Sequence, residues 1–216
     1  MSSRDIIALY DRLAHEYDRD RGRTLFEKEW LDRFLNFVPS GGTVLDLGCG
    51  VGEPIAQYTL SLGYRIVGCD SSPSMIAMCR ARFPDAEWLV ADMRELALER
   101  RFDGLIAWDS FFHLSMEHQR TMFARFADHA NPGAPLLFTS GPEAGESIGS
   151  YHGEPLYHAS LAATEYRRLL ERYGFAVQAY DANDADCGGH TVWLATLERS
   201  GAVPIHTRQV ADGQPE

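Results

Sequence analysis

Three glycines at alternate positions, Gly48, Gly50 and Gly52, close the apolar run Thr43-Val44-Leu45-Asp46-Leu47 and open a helix-like stretch. The pattern reads as a strand, a tight loop and a helix start, with no Cβ where a ligand must approach the backbone. The spacing is not that of a dinucleotide fold, because Glu53 stands where the third glycine of G-x-G-x-x-G falls. It lacks the Lys-Ser/Thr of a phosphate-cradling loop as well. Asp46 and Glu53 flank the glycines. Two carboxylates would repel a pyrophosphate and suit a cationic ligand without phosphate.

Further strands follow at regular intervals. Tyr64-Arg65-Ile66-Val67-Gly68-Cys69 runs into Asp70, 24 positions after Asp46. That is near the offset of about 20 residues at which doubly wound folds place a ribose-binding acid. A carboxylate only accepts, so it suits two vicinal hydroxyl donors. Ser72 and Pro73 then fit the N-cap and first turn of a helix. Glu87-Trp88-Leu89-Val90 leads to Ala91-Asp92-Met93, and a strand over 102–108 leads to Asp109-Ser110. A ligand with an ammonium, a sulfonium and no phosphate, such as S-adenosylmethionine, fits the glycine loop.

In these four segments, in order and spacing, the chain resembles the class I S-adenosylmethionine-dependent methyltransferases of the bacterial small-molecule type (type 11 or 25). The resemblance spans roughly residues 5–198. It implies a Rossmann-like, doubly wound and mostly parallel seven-stranded sheet, with an N-terminal helical cover and a C-terminal antiparallel hairpin. It implies S-adenosylmethionine as cofactor, S-adenosylhomocysteine as product and no metal. By the same resemblance Asp46, Gly48, Cys49 and Gly50 hold the methionine end, and Tyr17 closes over it. Asp70, with Ser71 and Met75 beside it, takes the ribose. Asp92 and Met93 take the adenine, and Trp108 lines the path to the methyl group.

Helices are expected over 4–19 and 26–38, then strand 43–47, helix 53–62, strand 64–69, helix 73–83, strand 87–90, strand 102–108, helix 116–129 and strand 135–140. Alternation of this kind argues a parallel sheet covered on both faces. Helix 160–173 and strands 175–181 and 189–198 follow. One domain is expected over 1–198, with a loosely ordered tail over 199–216. Residues 141–159 carry glycines, prolines, two Tyr-His pairs and three glutamates, and read as a lid-like loop beyond a strand's carboxyl end.

Methyl transfer to an O–H or N–H⁺ acceptor calls for alignment and sometimes for a base. His113, just past the fourth strand, is the candidate base; the alternative is a histidine packing the turn before Ser115. Asp109, Tyr151, His152, Tyr157 and His158 are candidate acceptor contacts. No Asn/Asp-Pro-Pro-Tyr/Phe follows strand 102–108, which disfavours nucleobase methylation, and no metal-ligand spacing appears. The formal charge of −11, from 20 Lys and Arg against 31 Asp and Glu among 216 residues, disfavours a nucleic-acid partner. No apolar run reaches the roughly 18 residues of a membrane span, and the start of the chain has no signal-peptide core. Four cysteines without a C-x-x-C pair read as buried apolar residues of a cytoplasmic protein. The expected partner is a small-molecule acceptor methylated at O or N. A protein or RNA methyltransferase and a non-catalytic cofactor-binding module remain alternatives.

Overall fold

A computed structural model of the chain describes residues 3–198; the tail over 199–216 lies outside the described residues. Helices α1 (Ser3–Arg12), α2 (Ala14–Asp20) and α3 (Lys28–Leu35) precede β1 (Thr43–Leu47). Then come α4 (Ile55–Ser61), β2 (Arg65–Asp70), α5 (Pro73–Arg82), β3 (Glu87–Val90), β4 (Gly104–Ala107), α6 (Met116–His129) and β5 (Pro135–Ser140). A hairpin of β6 (Gly145–Tyr151) and β7 (Glu154–Ser160) follows, then α7 (Ala163–Arg172), β8 (Phe175–Asp184) and β9 (His190–Leu197).

Seven strands form one sheet in the order β3-β2-β1-β4-β5-β9-β8. The first five run parallel; β9 is antiparallel to β5, and β8 to β9. Every residue of β4 and β5 is buried, as a strand covered on both faces requires. On one face Phe111, Phe123, Phe126, Phe138 and Trp193 pack with α6 and α7 residues. On the other, Trp30, Leu31 and Phe34 of α3 meet Ile66, Ile106 and Leu137. The Ser72 hydroxyl caps α5 by accepting from the Met75 N–H at 3.2 Å, with Pro73 opening the helix.

The chain steps outward from β1 to β2 and β3, then returns to the far side of β1 with β4 and β5. The carboxyl ends of β1 and β4 therefore flank a topological switch point, where such sheets leave a crevice. Two expectations need correction. Residues 4–19 are not one helix, because Leu13 leaves helical geometry at φ −102°, ψ 24°. Residues 141–159 are not an irregular loop: Gly145–Tyr151 pairs antiparallel with Glu154–Ser160. Glycines of this segment sit at the start of β6, within it at Gly149, and at the turn, where Gly153 takes φ +79°.

Candidate functional site

At the switch point the glycine loop is pinned from below. The Gly48 and Cys49 N–H groups both donate to the Cys69 carbonyl, at 2.8 and 3.0 Å. Gly48 and Gly50 have φ +75° and +54°. A Cβ on Gly48 would lie 2.3 Å from the Ser110 Cβ, and one on Gly50 3.2 Å from the Tyr17 ring. At Gly48 there is no room for a Cβ, while at Gly50 the Tyr17 ring would have to give way slightly and the positive φ still favours glycine.

An open cleft of about 710 Å³ lies above the loop. Its wall brings together Tyr17, Gly48, Gly50, Asp70, Ser71, Met75, Asp92, Met93, Asp109 and His113, with Ile6, Ile7 and Tyr10 from α1 as a roof. Asp70 accepts from the Gly50 N–H at 3.0 Å and the Ser72 N–H at 2.9 Å. Burial raises its carboxyl to about 6, against those hydrogen bonds. Asp92 is partly buried, but the forked contact from Arg94 prevails and holds it below the usual carboxylate range.

A second cleft of about 310 Å³ continues past the loop, lined by Arg21, Asp46, Cys49, Gly52, Glu53 and Trp108. Asp46 is 4% exposed, and burial together with the charge of Asp70 raises it to about 7. Among the described residues no donor reaches its carboxylate. Glu53 does not stand as an open anion, since Arg23 and Arg82 lie 3.2 and 3.4 Å from it. Arg21 pairs at 2.5 Å with the fully buried Glu27. The two clefts share three residues, Tyr17, Gly48 and Asp109.

His113 lines the first cleft but is 7% exposed and bonded on both nitrogens. Its Nδ1 lies 2.9 Å from the Tyr157 carbonyl, and its Nε2 2.9 Å from the Tyr10 hydroxyl. A carbonyl only accepts, so Nδ1 carries the proton and Nε2 accepts from Tyr10. Burial lowers the imidazole to about 4, so it is neutral at pH 7. The free base expected at this position is thus a ring that ties α1 to the hairpin.

The hairpin side chains do not gather in the cleft as expected. Tyr151 and His152 both reach Asp20, at 3.1 and 2.6 Å, on the outer surface. The Tyr157 side chain is buried beside Ile6 and Ala159, and only its carbonyl points to His113. His158 packs on the His113 and Phe112 rings, at 4.9 and 5.3 Å, and lines a separate groove. Trp108 lines the second cleft rather than the first and stacks on His190. Sequence reading missed Tyr10, Arg21 and His190. The first two lie in an N-terminal segment with no motif, and His190 is signalled only by following Gly188-Gly189 at a strand start. Among the described residues no His/Cys/Asp/Glu group could hold a metal ion, and no helix is long and apolar enough to cross a membrane.

Residues 44–133 match the family model described as a methyltransferase domain. The chain is similar to the dTDP-3-amino-3,6-dideoxy-alpha-D-glucopyranose N,N-dimethyltransferase of Streptomyces fradiae, 31% identical over 132 residues, covering 60% of this chain and 51% of that one. It is also similar to the dTDP-3-amino-3,4,6-trideoxy-alpha-D-glucopyranose N,N-dimethyltransferase of Streptomyces venezuelae, 32% identical over 102 residues, covering 46% and 43%. The chain thus spans about half the length of the curated relatives it matches. The fold matches that of the Burkholderia thailandensis 1,6-didemethyltoxoflavin-N1-methyltransferase, solved with bound S-adenosylhomocysteine. The TM-score is 0.70 at 16% identity, over 89% of this chain and 87% of that one.

Proposed function

We propose that the chain, whose residues 44–133 match a methyltransferase domain, is a class I S-adenosylmethionine-dependent methyltransferase that methylates a small-molecule acceptor at the junction of the two clefts. The carrying observation is that the clefts meet at Tyr17, Gly48 and Asp109. A ligand spanning both would set hydroxyls against Asp70 and a purine edge against Asp92 and Met93. Its ammonium would face the buried Asp46 and its carboxylate Arg21. The glycine cradle and the unpartnered Asp46 fit such a ligand. When bound, S-adenosylmethionine supplies an electrophilic methyl group on a sulfonium, so the protein's task is chiefly alignment. The similarity to amino-sugar N-methyltransferases favours nitrogen over oxygen as the acceptor atom.

Calorimetry tests this reading first without an acceptor. S-adenosylhomocysteine is expected to bind and NAD not to. An ammonium placed beside Asp46 favours its ionised form. Binding near pH 7 should therefore release protons, seen as a binding enthalpy that changes with the ionisation enthalpy of the buffer. Transfer of labelled methyl to amino-sugar nucleotides but not to tRNA completes the test. NAD binding with no S-adenosylhomocysteine binding overturns the assignment.

His113 gives a separate expectation. With Nε2 occupied by Tyr10, His113→Gln should act mainly through stability. Glutamine cannot keep both bonds, and leaving one buried partner unpaired costs about 1–3 kcal/mol. Affinity for S-adenosylhomocysteine should stay within about threefold of wild type on that basis, because the ring touches none of Asp46, Asp70 or Asp92. A general base would instead show a loss of turnover of about 10²–10⁴ at unchanged stability. Single-turnover rates and thermal melts on the same variant separate the two.

A further inference from the structure

Asp109, where the two clefts meet, is held by groups that no cofactor contact explains. Its backbone takes φ +49°, a left-handed conformation that costs a non-glycine residue free energy. Its N–H lies 2.9 Å from the Thr139 Oγ1 on β5. His190, first residue of β9, places Nε2 2.9 Å from Asp109 Oδ1 and Nδ1 2.7 Å from the Cys187 carbonyl. Both partners only accept, so both ring nitrogens donate and the ring is a cation. Its pKa is raised first by the Asp109 hydrogen bond, against partial burial. The ring lies between Phe26 and Trp108, with centroids 5.4 and 5.6 Å away and planes within 29° and 28°. His190 and, at 3.4 Å, the Thr139 hydroxyl thus both donate to Asp109 Oδ1 from distant parts of the chain. Among the described residues no donor reaches Oδ2, and the side chain is 29% exposed.

We propose that Asp109 Oδ2 anchors the acceptor nitrogen at the point of methyl transfer, that His190 is the positioning residue that holds it there, and that the acceptor is an amine. The proposal rests on the methyl-transfer reading above. In transfer to an amine the C–S electron pair stays with sulfur and the nitrogen lone pair forms the C–N bond. One positive charge moves from sulfur to nitrogen, which then gives a proton to solvent. A carboxylate beside the path stabilises that charge throughout, and an N–H bond to it orients the lone pair. Transfer to a carboxylate or alkoxide would bring a second anion against Asp109, which is repulsive.

The test uses two cofactor analogues. S-adenosylhomocysteine has nothing at the methyl position; sinefungin carries an ammonium there. Both are titrated calorimetrically into wild type, Asp109→Asn, His190→Gln and His190→Phe. Asparagine tolerates a left-handed backbone, so the Asp109 variant should fold. The expected result is a preference for sinefungin that falls about tenfold or more in Asp109→Asn, as for loss of a charged hydrogen bond, with S-adenosylhomocysteine affinity changed far less. His190→Phe keeps the ring stack but no donor, so it should lose more of the preference than His190→Gln, which can still donate to Asp109. An unchanged preference in Asp109→Asn, or His190→Phe equal to wild type, overturns the proposal. A wild type that binds neither analogue overturns the methyl-transfer reading itself.

Discussion

Gly48→Ala is expected to abolish useful cofactor affinity and to lower the melting temperature. The new Cβ would sit 2.3 Å from the Ser110 Cβ and 2.8 Å from its hydroxyl. Ser110 has little room to retreat, since its hydroxyl donates to the Leu47 carbonyl at 2.6 Å. Alanine at φ +75° adds about 1–2 kcal/mol of left-handed strain, and overpacking about 1–3 kcal/mol. A combined loss of roughly 2–5 kcal/mol corresponds to a drop of about 4–20 °C for a domain of this size. Gly63→Ala is the control. Gly63 has φ +83° with nothing within 4 Å of its would-be Cβ. It should show the strain alone, about 1–2 kcal/mol, with cofactor affinity intact. Equal melting and equal affinity for S-adenosylhomocysteine in Gly48→Ala and wild type would refute the cradle.

Asp70→Ala removes an acceptor that serves the protein and, in the proposed function, the ribose. Its two oxygens take the Gly50 and Ser72 N–H groups, so the variant leaves two donors unpaired beside the cleft. Loss of a charged acceptor to the ribose should weaken S-adenosylhomocysteine binding by about ten- to a hundredfold, or 1.5–3 kcal/mol. Asp70→Asn should be no better, because its amide NH₂ would face one of the two N–H donors. The pH dependence has a definite sign. Burial raises the Asp70 carboxyl to about 6, and the hydroxyl donors favour the ionised form. Wild-type affinity should therefore fall as pH drops through about 6, while Asp70→Ala should keep only the part of the pH dependence that Asp46 contributes. The stability contribution runs the other way. A carboxyl raised above its unfolded value binds more protons when folded, so apo stability declines as pH rises from about 4 to about 6. A folded Asp70→Ala variant with wild-type affinity at pH 7.5 would show that the ribose lies elsewhere.

The sequence alone determined what depends on neighbours along the chain. The alternate glycines, the strand-ending acids Asp46, Asp70, Asp92 and Asp109, and the Ser72-Pro73 helix start are local signals. Backbone sterics, acceptor chemistry and capping act over a few residues, so the alternation of strands and helices and one edge of the crevice were legible, and the doubly wound order followed from the family resemblance. What only the tertiary structure decided depends on partners far apart in the chain. His113 is a neutral ring because Tyr10, 103 positions away, and the Tyr157 carbonyl occupy its nitrogens. Residues 141–159 pair as a hairpin because their alternate side chains find each other across a turn, which composition does not encode. Asp109 meets His190 only because β9 inserts antiparallel beside β5 and carries its first residue to the carboxyl end of β4. Motif chemistry is written in sequence neighbours. Protonation states and side-chain direction are set by burial and by partners across the sheet, and these exist only once the chain has folded.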